Sequence, residues 1–194
     1  MNLNPALVFP LNCQPIWHDA TNNYPTEPAL KNWLLDTSSL TERLQAHCRQ
    51  FSVQVIGQAR CSLPVEETQK LGGIKEAVVR EVILLGDGVP WVYARSVLPI
   101  SMCEGAGAAF DGLGSQPLGK ILFNDARFVR APFELGRVTA PSELHTNWVN
   151  DAHMPLWGRR SVFHFEQQRL MVAEIFLPAS PAYKHVVQGI HESI

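Results

Sequence analysis

A chain of 194 residues that is 46% hydrophobic and 18% charged is long enough for one globular domain with a sizeable core. Sixteen basic against eighteen acidic side chains leave a net charge of -2, which excludes a general attraction to nucleic acid or to an anionic membrane, so any bound anion must be held by local charge. The first basic residue is Lys31 and no apolar run approaches the length of a membrane span, so neither a secretory leader nor stable membrane insertion is expected, and the location expected is cytoplasmic.

Residues 1–25 carry Pro5, Pro10, Pro15 and Pro25 without sustained periodicity and read as an extended arm. A helix start follows at Thr26-Glu27-Pro28, with Ala29, Leu30, Trp33 and Leu34 spaced for one buried face. Ser39-Leu40-Thr41-Glu42 has the form of a capping box, and Leu40, Leu44, Cys48 and Phe51 continue at helical spacing. The two segments predict a helical hairpin. Strand texture begins at 52–61 and returns at 77–85, which turns through Gly86-Asp87-Gly88-Val89-Pro90 into a partner strand over 91–98.

A glycine-rich connection over 105–114 leads to a short helix introduced by Pro117. Residues 128–138 read as a strand, 139–155 as a polar loop insertion, and 157–165 with 170–177 as a second β-hairpin turning around Gln167-Gln168. Strands joined by short turns, with helical hairpins inserted, predict an α+β fold with an antiparallel sheet.

Most routes to chemistry fail. Gly105-Ala106-Gly107-Ala108-Ala109-Phe110 begins like a dinucleotide-binding turn but lacks the third glycine and a βαβ setting. Seven histidines include no His-Glu-x-x-His, and Cys13, Cys48, Cys61 and Cys103 are too irregular for a zinc site or a disulfide frame. The histidines are assigned to the surface, the thiols to reduced filler, and no metal or cofactor is expected. No Gly-x-Ser-x-Gly nucleophile elbow is present.

What remains is charge inside apolar strands. Alternation puts Arg80 on one face with Val78, Val82 and Leu84, and Glu81 on the other with Val79, Ile83 and Leu85, so one of these charges is expected to point inward. Glu174 interrupts the apolar run Leu170-Met171-Val172-Ala173-Glu174-Ile175-Phe176-Leu177. Each charge alone fits a structural ion pair, whereas two such interruptions in separate hairpins point to a polar site under a covered sheet face. Arginine suits a carboxylate ligand because its planar fork donates two charge-assisted bonds at once. Arg95, Arg130 and Arg137 are second-tier candidates for anion contact, and a structural salt bridge is the expected role of any one of them.

Five segments occur together in order: Arg80-Glu81-Val82-Ile83-Leu84-Leu85 with Asp87-Gly88-x-Pro90-Trp91; Pro117-Leu118-Gly119 with Leu122-Phe123; Glu134-Leu135-Gly136-Arg137; Leu156-Trp157-Gly158-Arg159-Arg160-Ser161; and Glu174-Ile175-Phe176-Leu177-Pro178-Ala179-Ser180-Pro181. On these the chain resembles the chorismate pyruvate-lyase family, bacterial enzymes that make 4-hydroxybenzoate for ubiquinone. The resemblance implies a single domain over 1–194, with a six-stranded antiparallel sheet and helical lobes covering an internal pocket. It implies a lyase without cofactor or metal, working on chorismate and releasing 4-hydroxybenzoate and pyruvate; the chain is expected to be a monomer. By position, Arg80 would grip a ligand carboxylate, Leu118 would give backbone and apolar contact, and Glu174 would meet the ring hydroxyl. Leu40 stands where the family carries a methionine. Residues 139–155 and the tail 184–194 are longer than the family pattern. The alternative is a non-catalytic effector-binding domain of the related sensor fold found in transcription regulators. An arm of 25 residues is too short for the winged helix that precedes those sensors, which favours the enzyme.

Overall fold

Two β-hairpins laid side by side form the middle of the sheet. In the computed structural model, which describes residues 8–183 apart from 12, 14, 22–23, 105–109, 111–112, 115, 140–141 and 152, β3 (Glu76–Gly86) runs into β4 (Val89–Leu98). Asp87 and Gly88 form the two-residue turn, both at positive φ (50° and 77°), the geometry that suits the twist of a tight hairpin. Asp87 also accepts from the backbone N–H groups of Arg49 and Gln50 at 2.9 and 2.8 Å, fixing the entry to β2 (Phe51–Ser62). The second hairpin pairs β7 (Leu156–Phe165) with β8 (Gln168–Phe176).

The hairpins join through β4 and β8, and β2 adds outside β3. On the far side β6 (Glu134–Val138) pairs with β7, and β1 (Ile16–Asp19) with β6. The antiparallel order is therefore β1-β6-β7-β8-β4-β3-β2, with β5 (Val129–Arg130) also on β7. The sheet has eight strands among the described residues where about six were expected, and β1, β5 and β6 are short, with four, two and five residues. The expected arm thus contributes a strand. The expected strand over 128–138 is two strands, because Pro132 lies between them and has no N–H to give a ladder.

One face is covered by two helical lobes. The first is α1 (Pro28–Leu35) and α2 (Leu40–Gln45), whose Leu30, Trp33, Leu34, Leu40 and Leu44 pack on Val82 and Leu84. Ser39 caps α2, accepting from the Glu42 N–H at 3.4 Å, but the helix stops at Gln45 and Phe51 opens β2. After α3 (Val65–Lys70), which lies between β2 and β3, the second lobe comprises α4 (Ile100–Cys103) and α5 (Leu118–Asn124). Its Met102, Phe110, Leu113, Leu118 and Leu122 pack on Val78, Leu98, Phe163 and Leu170.

The opposite face is covered as well. Leu11 from the arm and Leu144 from α6 (Glu143–Trp148) pack on Ile83, Leu85, Tyr93 and Ile175. α6 replaces part of the loop expected over 139–155, and it buries His145, a residue assigned to the surface from sequence. The His145 Nε2 donates to the Met154 carbonyl at 2.9 Å, with Nδ1 2.7 Å from the Ser142 hydroxyl. Most of the glycine-rich connection, and all of the tail 184–194, lie outside the described residues.

Covering both faces corrects the expectation that one of Arg80 and Glu81 points inward: they are 1% and 0% exposed, on opposite sides of β3. Glu81 is satisfied by Arg95 at 2.7 Å and by the Leu11 N–H at 2.9 Å, and Arg95 also pairs with Glu67. Arg159 and Arg160 divide in the same way on β7. Arg160 pairs with Glu66 and Glu134 on the Glu81 side, while Arg159 enters the lobe side.

Candidate active site

Strand register assembles the site from side chains far apart in sequence. On the lobe side of the sheet, one row across the strands reads Arg80, Ser96, Val172, Ser161. The adjacent row reads Val82, Ala94, Glu174, Arg159. At ~4.8 Å between neighbouring strands, Arg80 and Glu174 stand two strands, roughly 10 Å, apart and one row offset. A third row brings Phe163 on β7 opposite Arg130 on β5.

Between these rows and the lobes lies a cavity of about 590 Å³, part of it open to solvent. Its floor carries Arg80, Val82, Ala94, Ser96, Ser161, Val172 and Glu174, and its roof Leu40 and Thr41 from α2 with Leu118, Gly119, Leu122 and Phe123 from α5. The lobes meet at Gly119, where a Cβ would come within 3.1 Å of the Thr41 hydroxyl, so a bare backbone lets the roof close. Leu40, Arg80, Leu118 and Glu174 therefore line one cavity. Of the further arginine candidates, Arg130 joins them, whereas Arg95 is held on the opposite face and Arg137 is exposed beside Trp157.

Arg80 donates through Nη2 to the carbonyls of Gly114 and Gln116 at 2.9 and 3.1 Å, tying the lead-in to α5 onto the sheet. Its buried Nε has no partner, and among the described residues no carboxylate pairs with it. Burial lowers its pKa from the usual arginine value, yet a guanidinium remains charged at neutral pH, so the cavity holds an uncompensated cation.

Glu174 is held differently. Arg159 Nε donates to Glu174 Oε2 at 2.6 Å, with the two side chains 1% and 19% exposed. Arg159 Nη1 donates to the carbonyls of Trp33 and Asp36 at 3.2 and 2.6 Å. These belong to the C-terminal turn of α1 and the residue that ends it, where carbonyls lack helical partners. One arginine thus orients Glu174 and anchors the first lobe. Arg159 was not a candidate from sequence; the available signal was the hairpin register, which sets it directly opposite Glu174. Ser96 and Ser161 were also missed, since single serines in strands carry no recognisable pattern.

Among the described residues no group of three or more His, Cys, Asp or Glu side chains is gathered that would hold a metal ion. No helix among them is long and apolar enough to cross a membrane.

By structure, the fold is similar to the effector domain of PhnF from Mycobacterium smegmatis, with a TM-score of 0.57 at 16% identity over 74% of this chain and 91% of that one. It is also similar to the C-terminal domain of a histidine utilization repressor from Pseudomonas syringae, with a TM-score of 0.53 at 11% identity over 67% of this chain and 92% of that one. These likenesses describe the fold. By sequence, a protein of Pseudoalteromonas atlantica named probable chorismate pyruvate-lyase is 46% identical over 80% of this chain and 82% of its own. A protein of the same name from Shewanella sp. MR-4 is 40% identical over 90% of this chain and 93% of its own. With the family model for chorismate lyase matching residues 11–188, the chain belongs to the chorismate lyase family.

Proposed function

We propose that this protein is a chorismate pyruvate-lyase that converts chorismate to 4-hydroxybenzoate and pyruvate, as a cytoplasmic monomer without metal or cofactor, committing the ring to ubiquinone synthesis. The observation that carries this reading is a largely apolar cavity under the lobes with a guanidinium, Arg80, that pairs with no carboxylate among the described residues at one end and an oriented carboxylate, Glu174, at the other. A ring with a carboxylate and a hydroxyl at opposite positions matches that polarity.

Arg80 binds the ring carboxylate through Nε and its remaining N–H groups, and the N–H of Leu118, the first residue of α5 and therefore without a helical acceptor, adds a donor. Leu40 and Leu118 close over the ring. Glu174, with Oε2 taken by Arg159, presents its other oxygen to the ring hydroxyl.

In the reaction the carbon–oxygen bond between ring and enolpyruvyl group breaks, and a proton leaves the ring carbon that bears the hydroxyl. The ring becomes aromatic, and the departing enolpyruvate takes a proton on its methylene carbon to become pyruvate. Aromatisation makes the step downhill, so the protein contributes orientation, charge compensation and exclusion of water.

The test is purified protein with chorismate in EDTA, followed by pyruvate release and appearance of the aromatic product. Pyruvate formation well above the spontaneous rate is expected. Background pyruvate together with tight 4-hydroxybenzoate binding would refute catalysis and favour a binding domain.

A further inference from the structure

We propose that Arg130 binds the second carboxylate of the substrate, the one on the departing enolpyruvyl group, and so separates substrate from product. This assignment rests on the chorismate reading above. Of eleven arginines in the chain, Arg43, Arg60, Arg95, Arg127, Arg159 and Arg160 pair with carboxylates in the described structure. Arg49, Arg137 and Arg169 are exposed. Arg80 and Arg130 remain, both lining the cavity, both with a buried Nε that lacks a partner. Two uncompensated guanidiniums in one cavity fit a ligand with two anionic groups better than one with a single carboxylate.

Position assigns the second group. Arg130 reaches the cavity from β5, beyond Phe163 on β7, so it stands at the side of the sheet away from Arg80. Glu174 and Arg159 are its electrostatic neighbours. If Glu174 meets the ring hydroxyl, Arg130 lies beside the adjacent ring carbon, which bears the enolpyruvyl ether. The head group is already oriented: it lies 4.7, 4.9 and 5.0 Å from the rings of Phe123, Phe133 and Phe163, and Nη1 donates to the Thr37 carbonyl at 3.2 Å. Burial is the largest influence on this guanidinium and lowers its pKa, opposed by the field of Glu174. An incoming carboxylate would relieve that cost. Arg159 also keeps a buried Nη2 without a partner, but its charge is paired with Glu174, its Nη1 is committed to α1, and it does not line the cavity.

4-Hydroxybenzoate lacks the second carboxylate, so the proposal separates two measurements. Arg130→Met should lower kcat/KM for chorismate by about 100-fold or more, the scale of an unpaired buried charge contact, while the Kd for 4-hydroxybenzoate changes less than about 3-fold. Arg130→Lys should recover part of the activity, since it restores the charge but not the fork. Retained product binding certifies a folded pocket. The proposal is overturned if chorismate turnover by Arg130→Met stays within about 3-fold of the parent, or if product affinity falls as far as kcat/KM, which would mark a structural role. Absence of pyruvate release by the unaltered protein would instead overturn the reading on which the proposal rests.

Discussion

Replacing Arg80 with methionine separates fold from function more sharply than any other change in the cavity. Among the described residues Arg80 makes two hydrogen bonds to carbonyls and no ion pair, and the residue is 1% exposed. Losing two bonds from a charged donor costs about 1.5–3 kcal/mol each, and no longer burying an unpaired guanidinium returns several kcal/mol. The two contributions nearly cancel, so the stability of Arg80→Met should lie within about 2 kcal/mol of the parent and can exceed it. Function has no such compensation. A ligand carboxylate placed against the cavity end without its cation loses about 3–5 kcal/mol, and at 1.36 kcal/mol per factor of ten that is roughly 150-fold to 5,000-fold in kcat/KM. Urea unfolding gives the first quantity; pyruvate release and 4-hydroxybenzoate binding give the second. A variant that loses more than about 3 kcal/mol of stability, yet turns over chorismate normally in its folded fraction, would refute the assignment of Arg80 to the ligand.

Arg159 should behave in the opposite way. Arg159→Met removes the partner of Glu174 and two donors to the end of α1, so it should destabilise the fold by about 3–5 kcal/mol in urea unfolding, and Arg159→Met/Glu174→Gln should recover part of that loss. A loss below about 1 kcal/mol would show that the pair does not anchor the lobe. Acid should act through Glu134. Burial raises its pKa, but the hydrogen bond from Lys70 and the charge of Arg160 outweigh this and leave the carboxyl below its ordinary value of 4.5. A depressed carboxyl stabilises the fold at pH above the unfolded value and loses that contribution as pH falls through the folded one, so the loss lies below about pH 4.5. Glu134→Gln should flatten the fall in stability between pH 5 and pH 3, read from denaturant midpoints at each pH; an unchanged slope would remove Glu134 from the acid response.

Both central hairpins were legible because their turns and alternation are local signals, and Asp87-Gly88 left little freedom in register. The second hairpin shows how narrow the margin is. Its turn is Glu166 and Gln167, with Phe165 opposite Gln168, and Glu166 takes a φ of 53° without a glycine to advertise it. A turn centred on Gln167-Gln168 would set Ser161 opposite Glu174 in place of Arg159, hiding the ion pair that positions the candidate acidic group. The short elements were missed for a related reason. β1, β5 and α6 bury too few residues each to show a period, and they form because a neighbouring strand or core surface is already there.

By itself the sequence determined that Arg80 and Glu81 leave opposite faces of one strand, that Glu174 sits in an apolar strand of another hairpin, and that ordered motifs tie the two together. These follow from a period of two and from residue identity. Only the tertiary structure decided which charges are paired. Arg80, Arg95, Arg130, Arg137 and Arg159 are the same residue type in similar strands, and pairing depends on which face is covered and by what. Glu67 on α3 and Glu81 on β3 give Arg95 its carboxylates, Glu174 and the end of α1 occupy Arg159, and among the described residues Arg80 and Arg130 pair with no carboxylate inside the cavity. Charge compensation is a property of neighbours across the sheet and the lobes, and strand periodicity does not encode it.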